Sequence, residues 1–422
     1  MVQRSCQPGP LSAWQLRGMT RTAETAEILQ VLQQVLGSSS TSKPIVLHEP
    51  DFSGTQAWAY VKDCLDTGWV STAGQWVSRF EQELCAFSGA SHAVAVTNGT
   101  VALRLALHLL GVGAGDEVLQ PPLSFVATAN AVAHLGAIPH FVDIEASTLG
   151  LCPQALIQRL EQIVERTPAG LFNRETGRRI AALLPVHVFG HPANLPGLLA
   201  VAEAWALPVV EDAAEALGSW RGHAGKATHC GLFGAIGTLS FNGNKLITTG
   251  GGGALLTHDV QLAKRARHLS TTAKQAHPWE FIHDELGWND RLPNLNAALG
   301  VAQLEDLSRR LEAKRQLAER YTQAFTGVEG VELVAEPPNC RSSHWLVSLR
   351  FTATDLAEAQ AQRHSLLEVA HAAGILLRPV WQPLHQLPMY ADAPRGPLIV
   401  AEDQAARLLN LPSSPQLLEG WA

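Results

Sequence analysis

Leu207-Pro208-Val209-Val210-Glu211-Asp212-Ala213-Ala214-Glu215 reads as a buried strand that ends in carboxylates. In open α/β sheets ligands sit beyond the carboxyl ends of the strands, so an acid emerging there faces a binding crevice. Asp212 and Glu215 are therefore candidate site residues. Further along, the chain runs Ser240-Phe241-Asn242-Gly243-Asn244-Lys245-Leu246-Ile247-Thr248-Thr249, straight into Gly250-Gly251-Gly252-Gly253. A single lysine in a polar turn before glycines reads as a lysine held for chemistry. The glycines remove every Cβ just after it, so the backbone is expected to pass close to a planar ligand or to adopt positive φ. Ser240 and Thr248 add hydroxyls. The plain alternative is a hairpin or surface loop, since short motifs also occur by chance.

The lysine and the aspartate together match what pyridoxal phosphate requires. Its aldehyde condenses with a lysine amine, and its ring nitrogen has to stay protonated to draw electrons from the carbon being deprotonated. Asp212 suits the second task, because an opposite charge at hydrogen-bond distance favours the protonated ring. Lys245, once released, suits the carriage of protons between carbons of substrate and cofactor.

From about Ser91 onward the chain alternates strand, turn and helix. Ala93–Val96 reads as strand, Thr97-Asn98-Gly99-Thr100 as a turn with capping residues, and Val101–Leu110 as helix. Glu117–Gln120, Ile138–Val142, Ala181–Val186 and Pro208–Glu211 read as further strands, with helices over Ala127–Leu135 and Leu195–Trp205. Such alternation predicts an α/β fold with a mostly parallel sheet wrapped by helices. A helix over Pro293–Arg315 is expected to lead into a smaller C-terminal α+β domain. The first 45 residues differ: Pro and Ser punctuate them around one amphipathic segment, Thr22–Leu36. They read as a partly disordered extension in which Met19 competes with Met1 as the start. The division expected is 1–45 extension, 46–300 large domain and 301–422 small domain.

Gly99-Thr100 at a helix start is a natural phosphate position. Glycine permits close backbone approach, and the threonine hydroxyl adds to the helix-end N–H groups. On its own, such a corner is most often only a corner. Phe125, in Pro121-Pro122-Leu123-Ser124-Phe125-Val126-Ala127-Thr128, is placed to lie against a planar ring, because offset stacking favours aromatic pairs beyond buried area. A core phenylalanine is the alternative reading.

Bulk properties narrow the classes. With 422 residues and 46% hydrophobic content, the chain is long enough for a sizeable core and two domains. A formal net charge of -7 and the absence of Lys/Arg runs argue against a general nucleic-acid binder. No apolar stretch spans a bilayer and no secretory leader pattern opens the chain, so a cytoplasmic protein without membrane association is expected. The six cysteines are scattered without a CxxC pair, and the 17 histidines include no HExxH, so no metal site is expected.

In combination these residues are recognisable. Gly99-Thr100, Ser124-Phe125-Val126-Ala127-Thr128, Glu211-Asp212-Ala213-Ala214-Glu215, Ser240-Phe241-Asn242-Gly243-Asn244-Lys245, then Asn289-Asp290-Arg291, Ala297-Ala298-Leu299-Gly300 and Gln303-Leu304-Glu305, occur in an order that resembles the pyridoxal-phosphate-dependent sugar-nucleotide aminotransferases. The resemblance runs from about Leu47 to the end. It implies the aspartate aminotransferase fold, fold type I, with a mostly parallel seven-stranded sheet and a smaller C-terminal α+β domain. It also implies roles: Lys245 as the lysine joined to the cofactor aldehyde, Asp212 as ring-nitrogen partner, Phe125 as stacking ring, and Gly99, Thr100 and Ser240 as phosphate ligands. Glu215 would lie near the ring substituents. Asn289 would reach the cofactor phosphate of the neighbouring subunit, so a homodimer with its active site at the interface follows. Arg291 would bind a carboxylate of the amino donor, with an ordinary salt bridge as its alternative, and His187 is a further candidate substrate contact.

Leu47-His48-Glu49-Pro50, Asp66-Thr67-Gly68-Trp69-Val70-Ser71, Phe189-Gly190-His191-Pro192 and Thr271-Thr272-Ala273-Lys274 are similar to the branch that makes 4-amino-4,6-dideoxy-N-acetylglucosamine nucleotides for legionaminic acid and bacillosamine. That branch implies a UDP-linked 4-keto-6-deoxy sugar as acceptor and L-glutamate as donor. The chain departs from the family at Asp290, where an aromatic is usual, and at Glu215, where glutamine or histidine is common. Thr55-Gln56-Ala57-Trp58 also differs from the Gly-Asn-Glu-Trp style of the branch. Lys245 is intact, which counts against the related dehydratases that carry histidine there. A 3-keto or GDP-linked acceptor, and a catalytically silent sugar-binding homologue, are the alternatives. A lyase or desulfurase of the same fold would need an activated cysteine, and Cys230 is the nearest in sequence.

Overall fold

Short apolar runs bounded by Gly, Asp and Pro form the strands of a layered α/β unit in the computed structural model, which describes residues 13–37, 39–222, 227–418 and 421. The strands are β1 (His92–Val96), β2 (Glu117–Gln120), β3 (Ile138–Phe141), β4 (Ile180–Leu183), β5 (Val210–Asp212), β6 (Ile236–Ser240) and β7 (Gly253–Thr257). They are almost wholly buried, as strands covered on both faces must be. Instead of one continuous sheet they form a four-stranded piece, β1-β7-β6-β5, and a three-stranded piece, β3-β2-β4. Parallel bridges Leu183↔Val209 and Val186↔Asp212 join the two pieces edge to edge. Pairing is parallel for β5 with β6 and for β2 with both its neighbours, whereas β7 runs antiparallel to β1 and β6. The cause is local: the glycine-ended loop between β6 and β7 carries no crossover helix, so the chain returns beside itself.

Among the described residues, twelve α-helices accompany the strands in chain order. They are α1 (Ala13–Leu36), α2 (Ala57–Thr67), α3 (Gln75–Ser88), α4 (Gly99–Leu109), α5 (Ala127–Ala133), α6 (Pro153–Ile163), α7 (Leu195–Trp205), α8 (Val260–Ser270), α9 (Asn294–Glu305), α10 (Leu307–Ala324), α11 (Leu356–Ala372) and α12 (Ile399–Arg407). Alternate strand residues feed opposite layers. Val118 packs with Leu103, Val132 and Leu269 of α4, α5 and α8, while Leu119 packs with Leu156, Leu160 and Leu198 of α6 and α7. α7 has the bounds its sequence predicts, because Asn194 caps it by accepting from the Gly197 N–H and Ala206 closes it in the left-handed region at φ 52°.

The C-terminal domain is an antiparallel sheet of β8 (Val331–Leu333), β9 (Val347–Phe351), β10 (Arg378–Pro379) and β11 (Leu408–Leu411), in the order β8-β9-β11-β10. The helix expected over Pro293–Arg315 is broken at Asp306, whose carboxylate pairs with Arg309 at 2.7 Å and Arg310 at 3.1 Å. α9 puts Ala297, Ala298 and Val301 into the core of the large domain, and α10 puts Ala313, Leu317 and Tyr321 into that of the small one. The start of α10 stays with α9, since Leu307 lies in the cluster of Ala297 and Val301 and Leu311 packs against it.

The N-terminal segment differs from the expected appendage. Ile28, Val31, Leu32 and Leu36 of α1 are buried in one cluster with Leu317, Tyr321, Leu366 and Ala370, so this helix completes the core of the C-terminal domain. Met19 lies inside α1, and residues 1–12 lie outside the described residues. Among the described residues, no helix is long and apolar enough to cross a membrane.

Candidate active site

A cavity of about 320 Å³ opens where the carboxyl ends of β5 and β6 meet the amino end of α4. Asp212 is the last residue of β5 and is 4% exposed. Thr128 donates its hydroxyl hydrogen to Oδ2 at 2.7 Å, Ser124 Oγ lies 2.6 Å from that hydroxyl, and the Ala214 N–H donates to Oδ1 at 3.2 Å. Burial pushes the Asp212 carboxyl upward, and the hydrogen bonds from Thr128 and Ala214 with the charge of Lys245 pull it back. A buried carboxylate in this setting is stabilised by a cation placed against it.

Lys245 enters from the loop after β6. Its Nζ donates to Glu215 Oε1 at 3.1 Å and lies 4.0 Å from the ring centroid of Trp345. Glu215 Oε2 accepts the Phe189 N–H at 2.9 Å. Burial raises the Glu215 carboxyl, and the Lys245 charge opposes that rise.

The opposite end of the cavity is built for an anion. The first N–H groups of a helix have no intrahelical acceptor. At α4 the Asn98 side chain accepts the Val101 N–H at 2.9 Å, while Gly99 and Thr100 line the cavity beside Ser240. A Cβ on Gly99 would stand 2.8 Å from Ser240 Cβ, so glycine is what lets the helix start meet β6. Phe125, 51% exposed, stands at the mouth with its ring centroid 6.5 Å from that of Trp381. A buried acid at one end, a helix start at the other, and a lysine and an uncovered ring between them fit the cofactor expected from the sequence.

The cavity thus collects Gly99, Thr100, Phe125, Asp212, Glu215, Ser240 and Lys245. Other expectations are corrected. His187 is buried with both ring nitrogens engaged: Nε2 lies 3.0 Å from Glu211 Oε2, and Nδ1 accepts the Ala193 N–H at 3.1 Å. It braces the carboxylate of Glu211 and does not line the cavity. Arg291 follows its alternative reading, donating to Glu81 Oε1 and to the Ala95 carbonyl, each at 2.9 Å, and so tying α3 to β1. Asn289 pairs with Thr271 outside the cavity of its own chain. The glycine run does not line the cavity either. Gly253 is needed because a Cβ there would stand 2.5 Å from the Asn98 backbone, so this run serves contact between chain segments. The Thr248 hydroxyl turns to the Phe241 carbonyl at 3.2 Å. Asp290 is paired with Arg104, which also lies 4.5 Å from the Trp288 ring centroid.

Sequence reasoning missed Trp345 and Trp381, which reach the cavity from the C-terminal domain with no local motif, and Thr128, whose hydroxyl stands at the start of α5 beside that of Ser124. Cys230 is buried and does not line the cavity, and burial pushes its thiol well up, away from nucleophilic character. At the surface His268, Asp284 and Glu285 cluster, with Glu285 already paired to Arg265.

Residues 53–420 match the DegT/DnrJ/EryC1/StrS aminotransferase family. The chain is 35% identical over 378 residues to GDP-perosamine synthase of Escherichia coli O157:H7, covering 89% of this chain and 94% of that protein. It is 34% identical over 383 residues to EpsN of Bacillus subtilis (strain 168), by name a pyridoxal phosphate-dependent aminotransferase, covering 89% and 92%. The crystal structure of the aminotransferase TlmJ from Streptoalloteichus hindustanus superposes with a TM-score of 0.77 at 30% identity, covering 89% of this chain and 95% of that one.

Proposed function

The chain belongs to the DegT/DnrJ/EryC1/StrS aminotransferase family and is a pyridoxal-phosphate-dependent sugar-nucleotide aminotransferase; from that premise we propose that it aminates the 4-keto carbon of a UDP-linked 4-keto-6-deoxy-N-acetylhexosamine with glutamate as donor. The product is a 4-amino-4,6-dideoxy sugar nucleotide of the kind used in surface glycans and nonulosonic acids. One observation carries the reading: Lys245, Asp212, Glu215 and the Gly99-Thr100 helix start converge on one cavity. The choice of acceptor is supported by Leu47-His48-Glu49-Pro50, Asp66-Thr67-Gly68-Trp69 and Phe189-Gly190-His191-Pro192. A second reading, a GDP-linked 4-keto sugar, is favoured by the 35% identity to GDP-perosamine synthase.

When bound, pyridoxal phosphate supplies an aldehyde that takes up an amine and a ring that accepts the electrons of a broken C–H bond. The residues of the chain do the rest. Gly99, Thr100 and Ser240 hold the phosphate at the start of α4, where helix-end N–H groups favour an anion. Asp212, fixed by Thr128 and the Ala214 N–H, holds the proton on the ring nitrogen. Phe125, lining the same cavity, would lie against the ring and keep water from it. Lys245 Nζ would carry protons between the α-carbon of the donor, the cofactor carbon that bears the nitrogen and the sugar carbon that receives it, with Glu215 compensating its charge each time it holds one. The nucleotide supplies remote binding energy that positions the ketone for that transfer.

The same reading includes a homodimer in which Asn289 reaches the cofactor phosphate of the neighbouring subunit. Its support is the exposure of Trp279, Phe281 and Leu286 on the segment just before Asn289. The deciding experiment incubates the protein with pyridoxal phosphate, glutamate and UDP- or GDP-linked 4-keto-6-deoxy sugars, and follows 2-oxoglutarate release and product NMR. Release with the UDP sugar supports the first reading, and release with only the GDP sugar supports the second. No 2-oxoglutarate with any keto-sugar nucleotide marks a silent sugar-binding homologue.

A further inference from the structure

Trp345 is held in place more firmly than its packing requires. It is 4% exposed and sits just ahead of β9 in the C-terminal domain, yet its indole reaches the loop of the large domain that carries Lys245. Its Nε1–H donates to the Asn244 carbonyl at 2.8 Å, which fixes the residue adjacent to the lysine. Its own carbonyl accepts from the buried Lys314 Nζ at 3.0 Å. The chain before it is pinned to the large domain as well: Ser342 Oγ donates to the Gly190 carbonyl at 2.8 Å, and Ser343 Oγ donates to the Glu215 carbonyl at 3.2 Å. Between them and Trp345, His344 has φ 45°, a left-handed conformation that a residue with a Cβ keeps only when its surroundings demand it. Together these contacts hold the segment that presents the indole face to Lys245 Nζ, 4.0 Å from the ring centroid.

Resting on the reading of Lys245 as the lysine that moves protons, we infer that Trp345 is a positioning residue: with Glu215 it forms a cation-binding cradle that receives Lys245 as an ammonium whenever the lysine is not bonded to cofactor. A π face attracts a cation and has no attraction of that kind for the neutral amine. The cradle therefore supports Nζ each time it carries a proton from one carbon to the next and aims it into the cavity. The other titratable groups near the lysine are Asp212 and His48. Burial, with the charges of Lys314, Arg310 and Lys245, holds His48 well below its ordinary value and so uncharged. Glu215 carries the Coulombic half of the cradle and Trp345 the polarisable half.

The test uses the full chain loaded with pyridoxamine phosphate, in which Lys245 is free, pulsed with acetic anhydride across a pH series and read peptide by peptide by mass spectrometry. Acetylation attacks only the neutral amine. In Trp345→Leu the rate at Lys245 at neutral pH rises about tenfold, the size that a desolvated cation–π contact reaches. In Trp345→Phe, which keeps a π face, the rate stays within about twofold of wild type. Lys62, exposed on α2, is the reference and does not change. A wild-type rate at Lys245 in Trp345→Leu overturns the inference, and so does an equal rise in Trp345→Phe, which would reduce the contact to packing. Failure of the wild type to bind pyridoxamine phosphate at all is a different result, which overturns the underlying reading and the inference with it.

Discussion

Thr128 of α5 donates its hydroxyl hydrogen to Asp212 at 2.7 Å and lies 2.6 Å from Ser124 Oγ, so the acid at the floor of the cavity is aimed from a neighbouring helix. A hydrogen bond to a charged group contributes about 1.5–3 kcal/mol. Thr128→Val leaves Asp212 free to rotate and less able to hold a ring proton. The expected outcome is a fall of about ten- to a hundredfold in kcat with intact thermal stability, checked by steady-state kinetics and calorimetry.

Lys245→Ala removes the amine that bonds the cofactor and the base that moves the proton. Adding pyridoxal phosphate to the wild type should give a visible absorbance band that the variant lacks. Turnover should drop by about 10²–10⁴-fold or more, the usual contribution of a positioned acid–base group.

Two glycines of one run should respond differently. Gly253→Ala puts a methyl 2.5 Å from the Asn98 backbone, whereas at Gly251 the nearest atom is 3.8 Å away. The first should destabilise the protein by about 1–3 kcal/mol and weaken cofactor binding, because the start of α4 has to move. The second should leave the melting temperature and the cofactor titration near wild type.

His191 is 1% exposed, and burial, helped by His344, pushes its ring from an ordinary 6.5 down to about 3. The folded state thus holds it neutral while the unfolded chain takes up a proton. Its contribution to stability is full above about pH 6.5 and is lost as pH falls from there toward about 3. His191→Leu should flatten this part of the curve, seen as a smaller drop in denaturation midpoint between neutral pH and pH about 5.

Leu32 on α1 is fully buried against the C-terminal domain. Leu32→Ala should destabilise the chain by about 2–5 kcal/mol, as large-to-small changes in cores do. Removal of the segment up to Leu36 should expose the apolar faces of α10 and α11 and give an aggregating product in size-exclusion chromatography.

Much of the architecture was legible because local signals and burial agree in the large domain. β2 and α7 have the bounds that periodicity and capping predict, since nothing distant competes with them. The break at Asp306 was hidden because the apolar pattern continues across it, with Leu304 and Leu307 packing in the same cluster. At the site, residue type misled where a partner far along the chain decides the role. Arg291 suits a carboxylate ligand, yet Glu81 reaches it first, and His187 suits a substrate contact, yet Glu211 claims its Nε2. Trp345 left no trace in its own neighbourhood because its partner, the Asn244 carbonyl, is backbone.

The burial of α1 has a consequence for how the polypeptide is born. Ile28, Val31, Leu32 and Leu36 leave the ribosome long before the residues that cover them, Leu317, Tyr321 and Leu366, which lie far along the chain. At roughly 5–20 residues per second, the apolar side of this helix waits on the order of tens of seconds for its partner. This helix is thus made well before the surface it docks on, and its apolar side stays uncovered until α10 and α11 have followed it.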